Sequence, residues 1–211
     1  MIRKLDFLYH KGIYEEELRK YSPGNGKLLD ALRTFRRLQT RHKENIFGEL
    51  TETQLEQSFN EQVFCSVFGY DSQFMKAAGQ FHVLPKVYKS KQYNDLSLGY
   101  RDGTKPSEFI SKATLELKGP EHDLAEKAIP QAFKYAKSNS TIEWVLACNF
   151  KELFLFDKND QSKSLHFDLA QISDANNVKR ILFPIAMGAF FSLDGALGRL
   201  EKIRRRVKAL P

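Results

Sequence analysis

The segment ATLELKGP, residues 113–120, carries a glutamate and a lysine two positions apart inside an apolar run. Side chains alternate between the two faces of a β-strand, so Glu116 and Lys118 share one face while Leu115 and Leu117 share the other. A buried charge is costly unless it is paired or coordinates an ion. The pattern therefore indicates either a salt bridge on a strand face or a site that holds a further charged group.

A second carboxylate, Asp95, lies 21 residues before Glu116 in the segment YNDLSLGY, which also has the pattern of a strand. The turn-rich stretch RDGTKPSE between them predicts that the two strands pair, which would bring both carboxylates and Lys118 to one end of a sheet. Carboxylate oxygens suit Mg²⁺, which would offset the repulsion between the acids. With Lys118 stabilising negative charge on a phosphate, the predicted chemistry is phosphodiester hydrolysis.

Two polar residues follow in the predicted helix QAFKYA. Gln131 and Tyr135 are four positions apart and therefore share one helix face. If that face points toward the Glu116–Lys118 end, Gln131 could bond a water or ligand and Tyr135 a phosphate. The alternative interpretation is a surface glutamine and a core tyrosine.

A third acidic candidate lies in the helix predicted between residues 51 and 69. The apolar residues of this helix recur every four positions, and both Glu52 and Glu56 fall within the arc that they span. Glu56 is either an acid that reaches the metal site or the end of a capping box that begins at Thr53. The sequence leaves both interpretations open.

The surrounding elements predict an α/β domain with a central mixed β-sheet flanked by helices. Helices are expected at 27–43, at about 51–69, around QAFKYA and from about 174 onward. The predicted strands are 79–89, 93–100, 109–118, 141–150, KELFLFDK and SKSLHFDL. The order helix, three strands, helix, strand, strand is typical of a mixed sheet, and the apolar run 141–150 indicates a strand covered on both faces.

The charge balance favours a polyanionic partner. The chain has 33 basic and 26 acidic residues, a net charge of +7 and a pI near 9.3. The basic residues cluster in LRTFRRLQTRHK, in KVYKSK and in the terminal EKIRRRVK. We expect Arg33, Arg36, Arg37, Lys89 and Lys91 to contact nucleic acid. The alternative is that these clusters are solvated faces.

Several classes of protein are disfavoured. No apolar run approaches the roughly 18 residues of a membrane span, and the N-terminal residues lack the apolar core of a signal peptide. The two cysteines form no CxxC pair, and the five histidines show no zinc-ligand spacing. We expect a reducing, cytoplasmic setting and no membrane partner.

Taken together, NDLSLGYRDG, ATLELKGP, QAFKYA and WVLACNFKELFLF resemble the PD-(D/E)xK nuclease superfamily. They are most similar to the N-terminal endonuclease domain of fused type IIG restriction–modification enzymes. The resemblance covers about residues 50–170 and departs from the family pattern at Asn94, where proline or alanine is usual before the aspartate. No Asn-Pro-Pro-Tyr motif or glycine-rich adenosylmethionine loop occurs in this chain.

The resemblance implies a restriction-endonuclease-like fold and a Mg²⁺-dependent DNA endonuclease in which Mn²⁺ substitutes. It implies that Asp95, Glu116 and the Leu117 carbonyl are metal ligands and that Lys118 is the catalytic lysine. Gln131 and Tyr135 become accessory residues, and Glu56 the helix-borne acid. The alternative function is a non-catalytic DNA-binding module that retains the fold.

The same resemblance suggests how the chain is organised. Residues 1–48 would be a basic helical extension packed on the core, residues 49–172 the nuclease core, and residues 173–211 a helical segment that starts a connector. The expected partners are double-stranded DNA, a methyltransferase and specificity region on the same or a partner chain, and a second copy for double-strand cleavage. The chain would be either an excised domain or a free-standing nuclease.

Overall fold

The structure, a computed structural model, describes residues 6–7, 10–72, 82–86, 88–89, 92–102, 105–191 and 197–209. The strands in this part of the chain are β1 (Asp6–Phe7), β2 (Val83–Pro85), β3 (Tyr88–Lys89), β4 (Gln92–Tyr93), β5 (Leu96–Asp102), β6 (Lys105–Leu117), β7 (Trp144–Cys148), β8 (Glu152–Asp157) and β9 (Asp160–Asp168). The α-helices are α1 (Lys11–Lys20), α2 (Asn25–Lys43), α3 (Glu52–Phe59), α4 (Ala128–Ser138), α5 (Ala175–Ile185) and α6 (Arg199–Lys208). A π-helix, Asn60–Val67, continues α3, and short 3-10 helices span Ile46–Glu49 and Leu169–Gln171.

Seven strands form one mixed sheet in the order β1-β9-β8-β7-β6-β5-β2, and β3 pairs with β4 in a separate ribbon. Within the large sheet β5 and β6 are antiparallel, whereas β6 and β7 are parallel. A parallel pair requires a crossover connection, and α4 supplies it. The expectation of an α/β domain with a mixed sheet flanked by helices is confirmed.

The sheet is covered by helices on both faces. On one face α4 packs against β6 and β7, and its apolar side chains form a cluster with Val145, Ala147, Phe154 and Phe156. The other face carries the larger cluster, to which the remaining helices contribute. All five residues of β7 are buried, as the continuous apolar run predicted.

The helices predicted over 51–69 and around QAFKYA are present, whereas one predicted turn is largely strand. The helix expected over 51–69 changes from α to π geometry at Asn60. The helix around QAFKYA begins at Ala128, with Pro130 in its first turn, where its missing N–H costs nothing. The stretch RDGTKPSE, predicted as a turn, extends both strands of the hairpin, which reach Asp102 and restart at Lys105.

The N-terminal and C-terminal helices are not separate from the core cluster. Tyr14, Leu38 and Ile203 belong to the same apolar cluster as Leu115. The boundaries predicted at 48 and 172 therefore stay predictions. Among the helices of the described ranges, none combines the length and apolar character that a membrane crossing requires.

The β5–β6 pairing is interrupted by a bulge at Leu98 and Gly99. A Cβ atom on Gly99 would lie 2.0 Å from the Ile110 carbonyl oxygen, closer than non-bonded atoms approach. Glycine is therefore required there by the close approach of the neighbouring backbone. The bulge sits in the hairpin whose opposite end carries Asp95 and Glu116.

We predict that Gly99→Ala lowers the free energy of unfolding by about 1–3 kcal/mol, because the added methyl group overpacks the strand pair. The matched control is Gly26→Ala in the first turn of α2, where a Cβ meets nothing within 4 Å. That control should be neutral or stabilising by up to about 1 kcal/mol. Urea denaturation measures both, and equal effects would contradict the role of the bulge.

Candidate active site at the strand ends

Three neighbouring strands end at the same edge of the sheet. Antiparallel pairing brings the end of β2 beside the start of β5, and the start of β5 beside the end of β6. The β5–β6 register pairs Leu96 with Leu115. One further step in the same register sets Asp95 opposite Glu116, so both carboxylates lie at this edge.

Asp95 is fixed to the end of β6 by a hydrogen bond. The Leu117 backbone N–H donates to Asp95 Oδ2 at 2.7 Å. In a strand the N–H and C=O of one residue point toward the same neighbouring strand, so the Leu117 carbonyl is directed toward the Asp95 side. The predicted ligands Asp95, Glu116 and the Leu117 carbonyl are therefore brought together.

Glu116 is buried with one of its two oxygens unsatisfied. Only 1% of the residue is exposed. Lys118 Nζ donates to Glu116 Oε1 at 2.8 Å, whereas Oε2 is buried and has no hydrogen-bond partner in the described part of the chain. A buried polar atom without a partner is costly and calls for an explanation such as an ion or a bound water.

The electrostatics of Glu116 point the same way. Burial, followed by repulsion from the Asp95 carboxylate, raises the pKa of its carboxyl from the ordinary 4.5 to about 8, despite the opposing effect of Lys118. Glu56 also contributes to the rise, so its carboxylate lies within electrostatic range. A cation that neutralised this cluster would return Glu116 to its ionised form.

Glu56 does not cap its helix. The capping box at the start of α3 is formed by Thr51 and Gln54, so the alternative of a Thr53–Glu56 box is wrong. Glu56 is buried and its Oε2 lies 2.7 Å from the Lys86 ammonium. Both residues line a cavity of about 700 Å³ that also touches Leu96 at the start of β5. The competing acid, Glu52, has its side chain outside the described part.

Gln131 and Tyr135 lie in different environments. Gln131 is exposed and lines a groove of about 470 Å³ with Tyr93, Lys127, Pro130 and Lys134. Tyr135 is buried in the α4 cluster. Burial raises the pKa of its phenol, and the nearby Ser97 and Asn139 oppose that rise. The packing of Tyr135 matches a core tyrosine, and an accessory role for either residue stays a prediction.

Asn94 is a positioning residue that sequence reasoning missed. It departs from the family pattern that the sequence resembles, and its side chain is buried. Its Nδ2 lies within hydrogen-bond distance of the Leu96 carbonyl and of the hydroxyls of Ser97 and Thr114. These contacts tie the start of β5 to β6 directly before Asp95. Its position next to Asp95 was the available signal.

The predicted DNA-contacting arginines occupy the exposed side of α2. This helix packs mainly against α5 and the π-helix. Arg33 pairs with Asp30 at 3.0 Å, Arg36 donates to the Ser173 carbonyl at 3.2 Å, and Arg37 is exposed. The side chain of Lys89 and the whole of Lys91 lie outside the described residues. DNA contact by these five residues stays a prediction.

The site residues fit a divalent ion in their donor chemistry. No cluster of three or more His, Cys, Asp or Glu side chains with metal-binding geometry occurs in the described ranges. The predicted ligand set has only two carboxylate side chains, Asp95 and Glu116, and its third ligand is the backbone carbonyl of Leu117. Hard oxygen donors, one of them an unsatisfied carboxylate oxygen, are the donors that Mg²⁺ prefers.

Comparison with protein-family models, with curated proteins and with solved structures finds no match to this chain. The similarity of its motifs to PD-(D/E)xK nucleases therefore stays a prediction from the residues.

The raised pKa of Glu116 predicts a pH-dependent stability. Between about pH 4.5 and pH 8 the folded protein keeps a proton on Glu116 that the unfolded chain has released. The free energy of unfolding should therefore fall as the pH rises through this range. Glu116→Gln removes this contribution, so the free energy of unfolding of the variant should increase relative to that of the wild type as the pH rises. Denaturation in metal-free buffer at pH 5, 6.5 and 8 measures the difference, and parallel curves would contradict it.

We predict that Asn94→Ala lowers the free energy of unfolding by about 1–3 kcal/mol, because it leaves buried hydroxyl and carbonyl groups with one partner fewer. Asn159→Ala, at an exposed position in the β8–β9 turn, is the control and should be close to neutral. Thermal and urea denaturation measure both. An Asn94 variant as stable as this control would show that the buried contacts do not fix β5.

Proposed function

We propose that the chain is a metal-dependent phosphodiesterase, and more particularly a Mg²⁺-dependent DNA endonuclease of the PD-(D/E)xK type that acts as the cleavage domain of a restriction enzyme. The observation that carries the proposal is the buried Glu116 carboxylate, whose Oε2 has no partner in the described structure although Asp95 and Lys118 lie beside it. A salt bridge with Lys118 accounts for Oε1 of Glu116 but leaves its buried Oε2 without a partner in the described part of the chain.

The topology around the site supports a restriction-endonuclease-like fold. The first acid lies at the start of β5, and the Glu-Leu-Lys sequence lies at the end of its antiparallel partner β6. The crossover helix α4 then leads to β7, which is parallel to β6. The buried acid Glu56 comes from a helix that precedes all three strands. This is the order of elements that the resemblance implies.

The donor atoms at the site suggest which residues would hold the metal ion. Asp95, Glu116 through its unsatisfied oxygen, and the Leu117 carbonyl would hold Mg²⁺, with Mn²⁺ as a substitute. When bound, the ion supplies Lewis-acid polarisation of the phosphodiester and charge neutralisation. Asp95 is kept in place by the Leu117 N–H, so its second oxygen is oriented without a large loss of side-chain freedom.

Lys118 would act on the substrate. Its ammonium is held by Glu116 Oε1 at 2.8 Å, and its side chain is 15% exposed, so it is partly desolvated but reachable. A lysine ammonium is a compact charge with three donors. It can therefore orient an attacking water and stabilise the negative charge that develops on the scissile phosphate.

Two surface features support DNA as the substrate. The net charge of +7 favours a polyanion. The groove beside α4 combines two lysines with Tyr93, which is 59% exposed and lies two residues before Asp95. Cations next to an aromatic ring are typical of nucleic-acid contacts.

Target selection would come from a specificity region with its methyltransferase, since phosphate contacts carry no sequence information. A double-strand cut would require a second copy.

Cleavage assays test the proposal. We expect Glu116→Gln and Lys118→Gln each to lower the rate of Mg²⁺-dependent DNA cleavage by at least about a hundredfold, because the first removes a charged metal ligand and the second removes the ammonium that stabilises the reacting phosphate. The control Lys163→Ala removes a lysine that pairs with Asp160 on β9, at the opposite side of the sheet, and should cut normally. If either site variant, folded as judged by circular dichroism, cuts DNA at the wild-type rate, the assignment is wrong.

Metal binding tests it independently of activity. Isothermal titration calorimetry with Mn²⁺ should show binding to the wild type that strengthens as the pH rises toward 8, because the ion competes with the proton on Glu116. Glu116→Gln should bind far more weakly, whereas Glu15→Gln, in an α1 pair with Arg180, should bind like the wild type. Absence of binding at pH 8, together with retained DNA affinity, would favour the non-catalytic DNA-binding module instead.

A further inference from the structure

Lys86 lies at the same sheet edge as the proposed metal ligands, immediately after β2. Its backbone N–H donates to the Asp95 carbonyl at 3.2 Å, which ties its main chain to the residue that carries the first acid. Since β2, β5 and β6 are consecutive in the sheet, the backbones of Lys86 and Glu116 are separated by two strand spacings, or about 10 Å. Asp95 lies between Lys86 and Glu116, and Lys118 follows Glu116 by two residues.

The backbone of Lys86 is in an unusual conformation. Its φ is +51°, in the left-handed region that a residue with a side chain adopts only at a cost. Such conformations persist where the surrounding structure holds them, and they concentrate at functional sites. Here the pairing with Asp95 holds the backbone, and the strained turn directs the side chain toward Glu56.

The side chain of Lys86 pairs with a buried acid and is itself partly exposed to solvent. Its ammonium lies 2.7 Å from Glu56 Oε2, and the exposed fractions of the two side chains are 50% for Lys86 and 6% for Glu56. The buried carboxylate thus orients a cation that an anionic ligand can approach from the solvent side. Both side chains line the cavity of about 700 Å³.

We infer that Lys86 is a second phosphate-binding lysine of this site, which holds the phosphate next to the scissile one on the same DNA strand while Glu56 orients its ammonium. The inference rests on the proposed endonuclease function and adds a substrate contact to it. The two lysines on either side of the carboxylates would then contact successive phosphates and set the register of the strand. Lys118 acts at the reacting phosphate and Lys86 positions its neighbour.

A purely structural role for Lys86 makes a different prediction. If Lys86 only neutralised the buried Glu56, Lys86→Gln would lower the free energy of unfolding. The effect of the substitution on DNA cleavage would then not depend on any particular DNA phosphate. Phosphate binding predicts a specific coupling between Lys86 and one phosphate, which a double-mutant cycle isolates from stability.

The test uses a DNA duplex whose cleavage position by the wild type has been mapped. Single uncharged methylphosphonates replace the phosphates around that position, one at a time. In the wild type, neutralising the adjacent phosphate should lower kcat/KM about tenfold, as expected for loss of a charge-assisted hydrogen bond. Lys86→Gln should show a similar loss of kcat/KM on the unmodified duplex. When Lys86→Gln is assayed on the duplex with the methylphosphonate, its kcat/KM should be lower than with either single change by no more than about twofold.

Two further variants serve as controls. Lys86→Arg keeps the charge and should retain sensitivity to the same methylphosphonate. The control Lys163→Ala removes a lysine of similar exposure, 47%, and should leave the whole methylphosphonate profile unchanged. DNA affinity measured against salt concentration should lose about 0.9 from its logarithmic slope in Lys86→Gln, the value for one phosphate contact.

The outcomes separate the two proposals. If the wild type cuts no DNA with Mg²⁺ or Mn²⁺, the proposed function fails and the Lys86 inference fails with it. If the wild type cuts but Lys86→Gln retains the full methylphosphonate profile, the role of Lys86 is overturned while the endonuclease assignment stands. Loss of sensitivity at one position, in a variant that is folded by circular dichroism, supports the inference.

Discussion

The structure depends on one costly arrangement, a glutamate carboxylate buried at the end of a central strand with a second carboxylate opposite it. Lys118 satisfies one oxygen of Glu116, and burial together with Asp95 still raises the pKa of the carboxyl to about 8. Protein interiors tolerate such a group when a proton, a partner or a cation neutralises it. A divalent ion bound here would offset this cost, because the charge cluster that destabilises the fold also attracts the ion.

The rest of the fold serves to hold that cluster in register. Antiparallel pairing of β5 with β6 sets Asp95 opposite Glu116, and a shift of one residue would move Glu116 to the other face of the sheet. Asn94 ties the start of β5 to β6 through buried hydrogen bonds. At the neighbouring strand end the Lys86 N–H bonds to the Asp95 carbonyl, which extends the fixed edge to a third strand.

Much of this could be predicted from local patterns, and the failures have physical causes. Alternation along ATLELKGP correctly grouped Glu116 with Lys118, and the unbroken apolar run identified β7 as buried on both faces. The partner of Glu56 could not be predicted, because Lys86 is 30 positions away and meets it through tertiary packing. The choice of Thr51 over Thr53 as the helix cap depends on where the first turn begins, which periodicity alone leaves uncertain by about two residues. The change to π geometry at Asn60 had no signal in the apolar spacing.

The presence of a divalent ion between Asp95 and Glu116 is tested most directly by a crystal of the protein soaked in Mn²⁺ near pH 8 and examined for anomalous scattering. We predict a peak within coordination distance of Asp95 and of Glu116 Oε2, with the Leu117 carbonyl beside it. A crystal in which Mn²⁺ binds elsewhere, or in which Oε2 is satisfied by a protein group and no peak lies between the two carboxylates, would contradict it.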